Sequence, residues 1–167
     1  MTRQEYGNDR TVMYAEGAEL VLDRVFDAPR KLVWEAITSP VYIPQWWGPA
    51  DTEATVDLMD VRVGGKWRWI AVMSPEDPGT PFQGTYQEVI EPERLVRTLE
   101  FDSGPMLGVP PFVETTTLDE LDRGGTQVYN ITRFPSEDIL QGALAQGVTT
   151  AALDSYDRLA ELLTRMG

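Results

Sequence analysis

The sequence predicts an α+β protein of one domain, in which a curved antiparallel sheet wraps a long C-terminal helix. Six runs with a period of two follow one another between residues 54 and 134, separated by short breaks rich in Gly and Pro. No helical pattern separates these runs, which favours an antiparallel meander. Residues 136–166 then carry one apolar stripe at helical spacing. A strongly curved sheet can bury such a stripe.

The N-terminal quarter of the chain predicts a strand and two short helices. Residues 1–17 are polar and aperiodic, and are interpreted as a flexible leader or an extra short strand before a domain over 18–167. The run ELVLDRVF (19–26) predicts a strand, and Pro29 suits the first turn of a helix over 30–38. A second short helix is expected through 41–43, interrupted by Pro44 and closed by the sequence WWGP.

Six further strands are predicted from alternating apolar and polar residues. They are expected at 54–61, 66–73, 82–90, 94–101, 112–121 and 126–134. If the early strand 19–26 pairs with the last one, the sheet has seven strands.

The C-terminal segment predicts one continuous helix. Ser136 is a suitable N-cap, and Glu137 and Asp138 occupy the first turn, where the helix dipole favours anions. Gly142 and Gly147 lie within the helix, which suggests the close approach of another element or of a bound molecule. Four charged residues near its end are interpreted as ion pairs on the helix surface: Asp154, Asp157, Arg158 and Glu161.

The composition excludes several kinds of chemistry. The chain contains no Cys and no His, which rules out thiolate sites, a Ser-His-Asp triad and an HExxH zinc site. We therefore expect neither a metal ion nor a cofactor. The net charge of −13 disfavours nucleic acids and anionic membrane surfaces as partners. The absence of a long apolar run and of a signal-peptide pattern predicts a cytoplasmic protein.

Large aromatic and selected polar residues alternate along the predicted strands, and they are the candidates for ligand binding. If their faces point inward, they line the space between sheet and helix, although plain core packing is the better explanation for any one aromatic taken alone. A register shift of one residue would turn the threonines toward solvent. The candidates are Trp47, Trp67, Trp69, Phe82, Tyr86, Arg97, Phe101, Met106, Thr115, Thr117, Tyr129, Leu144, Val148 and Ala151.

An ordered set of short segments resembles a known family. The segments are RVFDAP (24–29), VWEAIT (33–38), WWGP (46–49), VGGKWRW (63–69), GTYQEVIEPERLV (84–96), GGTQV (124–128) and SYDRLAELL (155–163). Together they resemble the family named for the activator of the Hsp90 ATPase, within the START and birch-pollen-allergen-like (SRPBCC) superfamily. The resemblance implies a helix-grip fold of seven strands around the C-terminal helix, and a cavity of the kind that holds lipids, sterols or polyketides in that superfamily.

Three functions follow as hypotheses. The first is the binding of a small hydrophobic or aromatic ligand, without chemistry by the protein itself. The second is an enzyme that resembles polyketide cyclases and aromatases, which would use Tyr86 or Tyr129 together with Arg97 or an acidic residue. The third is a module that interacts with an Hsp90-type chaperone. It is disfavoured because the eukaryotic co-chaperone engages the chaperone through a separate domain. A homodimer is left open.

Overall fold

The computed structural model describes residues 3–101 and 108–166, and within them an antiparallel sheet of nine strands and four helices. The strands are β1 (Gln4–Glu5), β2 (Thr11–Glu16), β3 (Glu19–Phe26), β4 (Glu53–Met59), β5 (Lys66–Val72), β6 (Thr80–Ile90), β7 (Arg94–Leu99), β8 (Phe112–Glu120) and β9 (Thr126–Arg133). The helices are α1 (Arg30–Thr38), α2 (Ile43–Trp46), α3 (Glu137–Ala145) and α4 (Val148–Met166). The strands lie in the order β1-β2-β3-β9-β8-β7-β6-β5-β4.

The predicted meander and its closure are confirmed. Strands β4 to β9 are consecutive neighbours, and β3 pairs with β9 in an antiparallel ladder that sets Glu19 opposite Arg133. The large antiparallel sheet packed on the C-terminal helix is a helix-grip fold.

The prediction of seven strands is wrong, because the leader adds two strands to the part of the chain that the structure describes. The Asn8 side chain accepts hydrogen bonds from the backbone N–H groups of Arg10 and Thr11, and so shapes the turn before β2. In β2, Thr11, Met13 and Ala15 are buried while the residues between them are partly or fully exposed. This alternation is only six residues long and begins and ends with a polar residue, so the sequence predicted at most one extra short strand in the leader.

The continuous C-terminal helix was also predicted wrongly. The helix is divided at Gly147, whose φ of +87° lies outside the helical region and suits glycine. The predicted N-cap is confirmed, because the Ser136 Oγ accepts a hydrogen bond of 3.2 Å from the backbone N–H of Ile139. The division gives two helices, α3 and α4, in place of the single predicted one.

The short helix α2 begins later than predicted. Pro44 was expected to interrupt it, but Pro44 lies in its first turn, where the missing N–H leaves no hydrogen bond unmade. Helix α1 has the predicted bounds.

The core lies between the sheet and α4. Tyr156 of α4 packs its ring against Phe26 of β3 and Trp46 of α2, at centroid distances of 5.7 Å and 6.4 Å. Leu159, Leu162 and Leu163 are buried on the same helix. Among the described residues, no helix is both long enough and apolar enough to span a bilayer.

Candidate ligand pocket

A pocket of about 1040 Å³ lies between the sheet and the C-terminal helices. Its sheet side is built from alternate residues of successive strands, because side chains along a strand point to opposite faces. On β7 these are Leu95, Arg97 and Leu99, and on β8 they are Phe112, Glu114 and Thr116. The WWGP segment forms a side wall, and α3 and the first half of α4 form the opposite wall.

A row of aromatic rings runs along the pocket. Trp47 makes edge-to-face contacts with Trp69 and with Phe82, each at a centroid distance of 5.1 Å. The row continues through Phe101 and Phe112 to Phe134, with successive distances of 6.4, 5.6 and 4.8 Å. All six rings line the pocket. Tilted and edge-to-face contacts between rings are favourable, so the row is a connected aromatic wall.

The position of Trp47 is determined by contacts between its loop and α4. The Ser155 hydroxyl accepts a hydrogen bond of 2.9 Å from the Gly48 N–H, and it lies 2.9 Å from both the Gly48 and the Ala151 carbonyl oxygens. The Arg158 guanidinium donates to the carbonyl oxygens of Trp47, Gly48 and Pro49 at 3.3–3.4 Å. These bonds attach the WWGP segment to the helix, so Trp47 is held in the pocket wall.

The prediction of ion pairs on the surface of α4 is wrong, because Asp154, Asp157 and Arg158 contact other parts of the fold. Asp154 accepts a hydrogen bond from the Ala50 backbone N–H at 3.2 Å. Asp157 pairs at 2.6 Å with the buried Arg24 of β3. Together with Arg158, these residues connect the helix to the rest of the fold. Spacing within one helix could not reveal partners that lie more than 100 residues away.

An ion pair faces the pocket. Arg97 and Glu114 lie directly opposite each other on β7 and β8, and the Arg97 Nε donates to the Glu114 Oε1 at 2.8 Å. The Arg97 guanidinium also lies over the rings of Trp67 and Trp69, at 4.2 Å and 4.5 Å from their centroids. Nearby, the Asn130 Nδ2 donates to the Thr116 Oγ1 at 3.0 Å. The polar groups of the pocket thus cluster on the central strands.

Two tyrosines lie near this ion pair. Burial is the main cause that raises the pKa of Tyr86 and of Tyr156, and the charge of Glu114 raises both pKa values further. The positive charge of Arg97 opposes the shift in each case. Both hydroxyls therefore stay protonated at neutral pH. Within the described part of the chain, the buried Tyr86 hydroxyl and the Trp69 Nε1 meet no hydrogen-bond partner of good geometry.

Several small residues line the helical wall of the pocket. Gly142 and Ala143 of α3, Gly147, and Ala151 and Ala152 of α4 all line it. A Cβ added at Gly142 or Gly147 would meet no described atom within 4 Å. The expected close approach of another element at these glycines is therefore wrong for the described residues, because open pocket space lies beside them.

The structure places thirteen of the fourteen predicted site residues, in the pocket lining, in the core or on the other face of the sheet. Trp47, Trp69, Phe82, Arg97, Phe101, Val148 and Ala151 line the pocket. Trp67, Tyr86 and Leu144 pack in or against the core outside the pocket lining. Met106 lies outside the described residues. Whether any of these residues binds a ligand stays a prediction.

The remaining three candidates were assigned to the wrong face. Thr115, Thr117 and Tyr129 alternate with residues that line the pocket, and they point to the other side of the sheet. The neighbours Thr116 and Asn130 take the inner positions instead. A shift of one residue reverses the face of a whole strand, and this is the error that occurred.

Other residues that line the pocket were not among the candidates, and Met13, Glu114 and Tyr156 are examples. The alternation in β2 is the signal that could have found Met13. Glu114 alternates with Phe112 and Thr116, so the correct face of β8 would have included it. Tyr156 lies among apolar residues of the α4 stripe. In the part of the chain that the structure describes, no three Asp or Glu side chains form a group suited to a metal ion.

A curved antiparallel sheet that holds a C-terminal helix, with a large pocket between them, defines the class of helix-grip proteins. Residues 27–164 match the family described as "Activator of Hsp90 ATPase homolog 1-like protein", and the chain belongs to this family. The resemblance found in the sequence is thus confirmed, within the SRPBCC superfamily.

Solved structures with the same fold come from several bacteria. A protein from Chromobacterium violaceum is 25% identical, with a TM-score of 0.75 over 87% of this chain and 96% of that one. Protein Ms6760 from Mycobacterium smegmatis is also 25% identical, with a TM-score of 0.77 over 89% and 96% of the two chains. CalU16 from Micromonospora echinospora shares the fold at 19% identity, with a TM-score of 0.58 over 95% of this chain and 83% of that one. No curated protein matches the chain.

Proposed function

We propose that the protein binds a small hydrophobic molecule with an aromatic part in the pocket between the sheet and the C-terminal helices. The observation that supports this most is the connected row of six aromatic rings along a pocket of about 1040 Å³. Sites for small molecules have volumes of roughly 300–1,000 Å³, mostly apolar walls and few polar groups. This pocket matches that description.

The aromatic row suits a flat apolar ligand better than a flexible chain. Trp47 makes edge-to-face contacts with Trp69 and with Phe82, at interplanar angles of 76° and 77°. A ligand ring that packs against them gains apolar burial and about 0.5–1.5 kcal/mol for each favourable ring pair. We therefore place the aromatic part of the ligand beside these three side chains.

An enzyme of the cyclase kind is a second candidate, because Arg97, Glu114 and Tyr156 meet at one pocket. Arg97 and the protonated hydroxyl of Tyr156 could polarise a carbonyl group, and Glu114 is the carboxylate able to accept a proton. Tyr129, the other tyrosine considered, lies on the far face of the sheet and cannot take part.

Binding is tested by native mass spectrometry of the purified protein, followed by tryptophan-fluorescence titration with polycyclic aromatics, fatty acids and sterols. We expect a co-purified molecule, or saturable quenching by the aromatic compounds. A protein that stays free of ligand and whose tryptophans ignore the whole set contradicts the proposal. Conversion of a bound compound into a product of different mass would instead establish the enzyme.

A matched pair of variants locates the binding. Gly142→Phe adds a ring at a residue that lines the pocket, whereas Gln141→Phe adds the same ring at an exposed residue of α3 that does not line it. We expect the first variant to lose binding and the second to keep it, with similar thermal stability. Equal binding by both variants would exclude this pocket as the site.

A further inference from the structure

The ion pair of Arg97 and Glu114 has a position that packing alone does not require. Both side chains line a pocket whose other walls are mostly apolar, and they keep 12% and 28% of their surface exposed there. A charged pair in such a place loses hydration that apolar residues of similar size would not lose. The pair therefore costs stability, which points to a role in recognising what enters the pocket.

The pair has hydrogen-bonding capacity that it does not use internally. Within the described residues, the pair is joined by a hydrogen bond from the Arg97 Nε to the Glu114 Oε1. An arginine has five N–H donors and a carboxylate has about four acceptor sites. Even if the adjacent Tyr86 hydroxyl accepts one bond, donors on the terminal nitrogens of Arg97 and the Oε2 acceptor of Glu114 are left for a ligand.

The guanidinium is held in a defined orientation. It lies between 4 and 5 Å from the ring centroids of both Trp67 and Trp69, and the ion pair restrains it from the neighbouring strand. Trp67 is itself oriented by a hydrogen bond of 3.0 Å from its Nε1 to the Thr98 carbonyl oxygen. A donor group that is already ordered loses little entropy when it binds a ligand.

The charges of the pair cancel, and this limits the ligand. A carboxylate that approached Arg97 would also meet the carboxylate of Glu114, in a protein with a net charge of −13. An amine that approached Glu114 would meet Arg97. A neutral group with one acceptor and one donor side by side can bond to both residues without either repulsion.

Building on the proposed function, we propose that Arg97 and Glu114 recognise an uncharged group that accepts and donates hydrogen bonds at adjacent atoms. A carboxamide, or a hydroxyl beside a carbonyl, has this chemistry. The ligand is then a neutral aromatic molecule with such a group at its polar end, and its acceptor bonds to Arg97 while its donor bonds to Glu114.

Three probes with the same aromatic body test this selectivity: 1-pyrenecarboxamide, 1-pyrenecarboxylate and 1-methylpyrene. Pyrene fluorescence reports the binding of each probe to the protein. We expect the carboxamide to bind about tenfold more tightly than either of the others, which is the size of one to two net hydrogen bonds. Equal affinity for the three probes, or a preference for the carboxylate, would overturn the inference while leaving the proposed function intact. If no probe binds, the proposed function fails and the inference fails with it.

A charge-switch variant tests the roles of the two residues. Glu114→Gln keeps an amide oxygen for the Arg97 Nε but leaves the arginine charge without a counterion. We expect the preference to reverse, so that the carboxylate binds about tenfold more tightly than the carboxamide. A merely structural ion pair would not reverse the order of the probes, so an unchanged order in this variant contradicts the proposal.

A second variant keeps the test valid if the first one does not fold. Arg97→Met combined with Glu114→Leu removes both charges together, and such replacements of an ion pair are often tolerated. We expect this protein to lose the tenfold advantage of the carboxamide over 1-methylpyrene. Retention of that advantage would show that other residues recognise the polar group.

Discussion

A single glycine allows the ring of Trp67 to pack against the Arg97 guanidinium. A Cβ at Gly84 would lie 1.9 Å from the Thr98 carbonyl oxygen and 2.8 Å from the Trp67 Nε1. These two atoms are partners in a hydrogen bond of 3.0 Å. Only a residue without a side chain lets the two strands and the indole approach in this way, so Gly84 allows Trp67 to support the guanidinium from below.

At the same scale, Tyr156 stabilises the native protein by an amount that decreases at alkaline pH. Burial raises the pKa of its hydroxyl above the usual value near 10. At a pH between the pKa of Tyr156 in the unfolded chain and its higher pKa in the native protein, the unfolded chain has released the proton and the native protein keeps it. The contribution of Tyr156 is therefore complete below pH 10 and falls as the pH rises above it, by about 1.4 kcal/mol per pH unit.

The variant Tyr156→Phe removes this titration. We expect its free energy of unfolding to fall less steeply than that of the wild type between pH 10 and 11.5, as measured by urea denaturation at several pH values. Tyr129→Phe, on the other face of the sheet, is the control. Parallel curves for Tyr156→Phe and the wild type would contradict this account.

Among the elements, α4 acts as the anchor of the pocket wall. Its residues Asp154, Ser155 and Arg158 all bond to the backbone of the loop after α2, and Asp157 pairs with Arg24 on the sheet. A four-residue helix such as α2 is too short to hold its own position. The long helix therefore determines where Trp47 lies, although Trp47 precedes it by 100 residues.

The variant Ser155→Ala tests this anchoring. It leaves the buried N–H of Gly48 without its acceptor, which costs about 1–3 kcal/mol of the free energy of unfolding. We also expect weaker quenching by aromatic ligands, because Trp47 is no longer held in the wall. Thr164→Ala removes an exposed hydroxyl from the same helix and should change stability by only a few tenths of a kcal/mol. Similar losses in both variants would argue against a specific anchor.

For the molecule as a whole, the N-terminal hairpin of β1 and β2 extends the sheet, and β2 contributes to the pocket. Met13 of β2 is fully buried and lines the pocket, while its neighbour Val12 is 53% exposed on the opposite face. The leader thus contributes a side chain to the same apolar surface as Leu20 and Leu22 of β3. It is part of the packed structure.

The pair Met13→Ala and Val12→Ala measures this contribution. Truncation of a buried Met costs about 2–5 kcal/mol, and we expect a value near the lower end because the pocket already offers open space beside it. Val12→Ala should stay within about 0.5 kcal/mol of the wild type. Urea denaturation gives both values. A near-zero effect of Met13→Ala would mean that the hairpin does not support the core.

Much of this molecule follows from local patterns in the chain. The alternation in β4 to β9, the apolar stripe after Ser136 and the ordered family segments predict the meander, the final helix and the helix-grip fold, because each is set by a period of two or of 3.6 residues. Arg97 was identified as well, because it interrupts the apolar residues of β7.

The remaining features depend on pairing between distant residues. Thr116 faces the pocket in place of Thr115 because the register with β7 and β9 decides which parity of β8 points inward. Glu114 is part of the site because that register sets it opposite Arg97. Ser155 anchors the WWGP segment because α4 packs against that segment. A periodic pattern of apolar residues is visible within one element, whereas a contact between distant residues depends on how two elements pack. For this reason, only the tertiary structure decided which residues form the polar end of the pocket.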